Sequence, residues 1–113
     1  MSGPVTSEAL TWLWNARPEL LPVVVASVPE RRRRFERDVL VRRAGERLAF
    51  LSQRQASQRL HERLCVLAGA MPAFIDRNAA PDGPLTLALL WNLREVPSLV
   101  TIRRALGSLE GIP

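Results

Sequence analysis

The chain has 113 residues, 47% of them hydrophobic, and a formal net charge of +5 in which every one of the 16 basic residues is arginine. That length suits a single domain over residues 1–113 with a modest core, and the charge favours acidic partners such as nucleic acid. No apolar run reaches the ~18 residues that a bilayer span needs, and the first residues lack the basic-then-apolar order of a signal peptide, so a soluble protein is expected.

"TSEALTWLWNAR" reads as a first helix, with Thr6 or Ser7 as N-cap and Glu8 where the helix dipole favours an acid. Leu10, Leu13 and Trp14 share its inward face. Trp12 lies about 200° from Trp14 and points to solvent or a partner, which makes it the candidate partner-binding residue. "PELLPVVVASV" follows. Its valines would suit a strand, but no second strand pattern exists to pair with it, so a short buried helix with Pro22 in its first turn is expected.

Ser27 and Glu30 have the spacing of a capping box, with Pro29 tolerated in the first turn. The next proline is Pro72. Residues 30–71 therefore form one long helical stretch, about 60 Å if unbroken, with apolar seams at Val41, Ala44, Leu48, Leu51 and at Leu60, Leu64, Leu67, Met71. Between the seams "SQRQASQR" offers only Ala56 to a core, and Ser52 with Gln55 forms another capping box. A bend or interruption around residues 52–57 is expected, and Gly45 is a further weak point.

Pro72 opens a short helical turn, and residues 78–84 form a loop on Pro-Asp-Gly turn chemistry. "LTLALLWNLREV" is apolar on nearly all sides, as a central buried helix would be, and Pro97 stops it. Ser98 caps a last helix with Leu99, Ile102, Leu106 and Leu109 on one face and Arg103 and Arg104 on the other, ending at Gly107 or Gly111. The fold class is thus all-α: a small helical bundle of about five or six helices with one long central helical stretch.

The helix, proline turn and helix of "LREVPSLVTIRRALGSLEGI" look like a helix-hairpin-helix or helix-turn-helix unit over about 20 residues. The helix-hairpin-helix family grips phosphate through a glycine-containing hairpin. Ser98 and Val100 stand where those glycines belong, so membership is not assigned, and two helices of an ordinary bundle explain the segment as well.

Catalytic chemistry has little to stand on. His61 falls on the polar face of its helix with no nucleophile or orienting acid at a useful spacing. One histidine and one cysteine make no metal site, the six glycines are scattered, and no cofactor is expected. Cys65, between Leu64 and Val66, is expected to be a buried small hydrophobe in a reducing, cytoplasmic setting.

The arginines remain. Residues 30–47 hold eight of them against four acids, nearly all of the chain's excess charge. Arg31 to Arg34 ring the helix axis, and Glu30–Arg34 and Asp38–Arg42 have the favourable i, i+4 order, so part of this run is a self-paired helix face. Arg43, Arg47 and Arg54, at spacings of 4 and 7, would line one side of an unbroken helix. With Arg32, Arg33, Arg103 and Arg104 they are the candidate nucleic-acid-binding residues. With three Trp, three Phe and no Tyr, base stacking has few platforms. The expected function is a non-catalytic subunit that lends an arginine-rich surface to a DNA or RNA assembly. The alternative is a helical protein–protein interaction module, an adaptor or inhibitor, in which the charge is incidental, and a homo- or hetero-oligomer fits either.

Overall fold

A computed structural model describes residues 5–76 and 83–107 as an all-helical bundle of six α-helices. They are α1 (Ser7–Ala16), α2 (Leu21–Ser27), α3 (Glu30–Gly45), α4 (Gln53–Asp76), α5 (Gly83–Trp91) and α6 (Leu99–Gly107), with 3₁₀ turns at Pro18–Leu20 and Glu46–Leu48. Among the described residues no helix is long and apolar enough to cross a membrane.

α1 begins where an oxygen can satisfy a free amide: Thr6 Oγ1 accepts the Ala9 N–H at 3.1 Å. Ser7, the other candidate cap, accepts the indole N–H of Trp91 at 3.0 Å. Leu10, Leu13 and Trp14 are buried as their spacing predicts, and Trp12 is 62% exposed. The Trp14 indole N–H has no hydrogen-bond partner among the described residues. The three valines are helical, with Pro22 in the first turn of α2 and Val25 facing the core.

The long central stretch is two helices. α3 ends at Gly45, a 3₁₀ turn carries the chain to Leu48, and α4 starts beyond Ser52. The break therefore lies mostly ahead of the expected 52–57 window, and Ser52 closes it with the predicted box. Its Oγ accepts the Gln55 N–H at 3.2 Å, while Gln55 Oε1 accepts the Ser52 N–H at 3.3 Å. Gly45 has a packing reason as well: a Cβ there would meet Leu106 Cδ2, so the bare backbone leaves room for that side chain of α6.

The same motif at Ser27–Glu30 does not operate. Pro29, with extended ψ of 141°, takes the N-cap position, and Ser27 Oγ donates to the Val24 carbonyl at 2.6 Å. Ser27 is still inside α2 and cannot reach forward. Pro72 also departs from expectation, since α4 runs through it to Asp76 and the separate helical turn does not form.

α5 is buried nearly all round through Leu85, Thr86, Ala88, Leu89, Leu90 and Trp91. It stops well short of Pro97. Leu93 and Arg94 have φ of 57° and 67°, left-handed values that cost a residue with a Cβ roughly 1–2 kcal/mol. The turn closes through the Arg94 N–H, which donates to the Leu89 carbonyl at 2.7 Å. Ser98 caps α6 as expected, its Oγ accepting the Thr101 N–H at 3.2 Å. The predicted loop at 78–84 lies outside the described residues except for Gly83 and Pro84, which open α5, and Leu109 and Gly111 also lie outside.

Packing is interleaved. α3 lies chiefly against α5 and then α6, and α4 lies chiefly against α6. The shared core runs from Leu10 and Trp14 through Leu40, Val41, Leu60 and Leu64 to Leu89, Trp91 and Ile102.

Candidate nucleic-acid interface and an adjoining groove

The seven candidate arginines fall into three groups. Arg32 and Arg33 serve the fold. The Arg32 guanidinium donates to the Val5 carbonyl, stands 3.7 Å from Glu36, and lies 6.0 Å from the centre of the Trp91 ring. Arg33 Nε donates to the Val28 carbonyl at 3.0 Å. Both are half-buried, and both hold the N-terminal segment onto α3.

The neighbouring arginines behave likewise. Arg34 pairs with Glu30 at 2.5 Å, as the i, i+4 spacing predicts. Arg37 pairs with Asp38 at 2.9 Å and donates to Asn92 Oδ1 at 2.9 Å, with only 12% of its side chain exposed. Asn92 in turn donates to the Glu95 carbonyl at 2.7 Å. Arg37 thus supports the left-handed turn that ends α5.

Arg43 and Arg47 form the second group. Arg43 lies in the last turn of α3 and Arg47 in the 3₁₀ turn that follows it, and both are exposed. The helix break separates Arg54 from them, so the expected three-residue stripe does not exist. Across the break Arg47 instead faces Arg59 and Arg63 of α4, with which it lines a groove of about 630 Å³. The groove floor is apolar, made by Ala44, Leu48, Leu60, Leu67 and Leu85, and Glu62 is its one acid. Val66, 62% exposed, stands at its edge. Arg59 and Arg63 were missed in the sequence. Their i, i+4 spacing puts them on one face of α4, but only the chain reversal at residues 45–52 brings that face opposite Arg47.

Arg54, Arg103 and Arg104 form the third group. Gln53 Nε2 donates to the Arg103 carbonyl at 3.3 Å, which ties the start of α4 to the last turns of α6. All three side chains are exposed, and none has an ion pair among the described residues.

Cys65 is exposed, contrary to its apolar neighbourhood in sequence. The α4 seam steps through Leu60, Leu64 and Leu67, and both Cys65 and Val66 are turned away from it. Its Sγ lies 4.0 Å from His61 Nδ1 on the preceding turn. Among the described residues no three of His, Cys, Asp or Glu stand close enough to hold a metal ion together. No protein-family model matches the chain, and neither does any curated protein or solved structure.

Proposed function

We propose that the protein is a small, non-catalytic, cytoplasmic helical subunit that contributes an arginine surface to a nucleic-acid assembly. One observation carries this reading: Arg54, Arg103 and Arg104 are exposed on adjoining helix ends with no ion pair among the described residues. Planar guanidinium forks so placed suit phosphate oxygens and give affinity without reading base sequence. Arg43 and Arg47 extend the basic surface along the end of α3, whereas Arg32 and Arg33 contribute to it only through the fold they hold.

The test is a salt titration of binding to a generic duplex and a generic single strand. Replacing Arg54, Arg103 and Arg104 by Gln should weaken binding and reduce the slope of log affinity against log salt by about 0.7 to 0.9 per lost phosphate contact. An unchanged slope, or a wild type that binds neither probe, rejects the reading. The interaction-module alternative draws on a different observation, the apolar floor of the groove.

A further inference from the structure

Two exposed features stand on different parts of the molecule. One is the groove between the end of α3, the middle of α4 and the start of α5, with an apolar floor and with Arg47, Arg59 and Arg63 along it. A phosphate backbone has no apolar surface to bury there, so the floor calls for a side chain. The other is the outer face of α1, where Glu8 and Trp12 are four residues apart on one side of the helix and both are exposed. Arg17 is paired with Glu19, while Glu8 has no ion pair among the described residues. In a chain of net charge +5, the segment ahead of α3 carries two acids and one arginine.

The two features are complementary. An exposed indole offers a large, rigid apolar surface at little entropic cost, and tryptophan is enriched among interface anchors. A groove of about 630 Å³ is of the size that takes such a group. Glu8, one turn from Trp12, matches the arginines beside the floor. No residue of α1 lines the groove, so Trp12 does not fill the groove of its own chain.

We propose that Trp12 and Glu8 of one copy dock into the Arg47–Arg59–Leu60–Val66 groove of a second copy. The contact joins two different surfaces, so a joined pair keeps one free groove on the first copy and one free knob on the second. Association of this kind continues head to tail until it closes a ring or grows as a filament. It shares Arg47 with the nucleic-acid reading but does not rest on it, and its test contains no nucleic acid.

Sedimentation of the full chain should show a mass that rises with concentration past that of a dimer. Trp12→Ala removes the knob. Val66→Glu removes an exposed apolar edge and sets an acid against Glu8. Both positions are exposed, so helical content should be unchanged by circular dichroism. Each variant alone should remain monomeric. Their equimolar mixture should stop at a single heterodimer, because one supplies only a groove and the other only a knob. A wild type that stays monomeric or halts at a dimer, variants that associate as the wild type does, or a mixture that forms no heterodimer each overturn the proposal.

Discussion

Four of the five arginines in the first half of α3 and five of those beyond Gly45 have the same chemistry and opposite employment. In the dense run, Arg32, Arg33, Arg34 and Arg37 bind the Val5 and Val28 carbonyls, Glu30, Asp38 and Asn92 of their own chain. Beyond Gly45, the sparser Arg47, Arg54, Arg59, Arg103 and Arg104 are exposed without an ion pair among the described residues. Charge density along a chain therefore misplaces the available cations. The carbonyls and acids nearest in space decide which guanidinium groups are left for a partner, and a dense run has more of them within reach.

Arg37→Ala is the strongest challenge to this contrast. Its charged hydrogen bonds are mostly shielded from water, so its loss should cost about 2 kcal/mol, read as a lower urea midpoint. Arg32→Ala should cost about 1 kcal/mol through the Val5 carbonyl and the Trp91 ring. The matched change Arg43→Ala should stay within about 0.5 kcal/mol. If Arg32 and Arg43 prove equal in the same denaturation experiment, the two regions do not differ as described.

Leu93→Gly sharpens the contrast from the other side. It relieves one left-handed residue in the turn that Arg37 supports, for a gain of up to about 1 kcal/mol. The gain is limited because Leu93 helps line a small apolar cleft with Leu21, Val25 and Leu90. In the Leu93→Gly background, Arg37→Ala should cost less than it does in the wild type, as a double-mutant cycle would show.

The smallest effect concerns Glu19. Its carboxyl is held below the ordinary glutamate range, first by the hydrogen bond from Arg17 and then by its own backbone N–H. A carboxyl with a lowered folded pKa contributes stability above its unfolded pKa, and loses it as pH falls through the folded value. Both side chains are well exposed, so the contribution is screened and should escape denaturation measurements. Carboxyl-resolved NMR titration should nevertheless place Glu19 below the ordinary glutamate range. A Glu19 that titrates within the ordinary range would remove the Arg17 pairing.

Much of the helical order was legible because local chemistry enforces it. Thr6, Ser52 with Gln55, and Ser98 all cap as their sequence positions predict. The opposed fates of Trp12 and Trp14 followed from their two-residue spacing. The failures came where a neighbour in space or a stronger local constraint intervened. Ser27 and Glu30 share the Ser52–Gln55 pattern, yet Pro29 took the cap position. Cys65 sat between apolar residues and still faced outward, because the seam of α4 passes on its other side. The groove was not legible at all. It depends on the angle at which the chain reverses between Gly45 and Ser52, and no local pattern encodes that angle.

The interleaved packing also bears on how the protein is made. α3 finds its main partner in α5, which follows it by the whole length of α4, and α4 must wait for α6. On a ribosome adding roughly 5–20 residues per second, the apolar side of α3 is finished seconds before the helix that covers it exists. During that interval Leu40, Val41 and Ala44 have no α5 to lie against. The arginines beside them then flank the uncovered apolar side with charge, which opposes aggregation until the bundle closes.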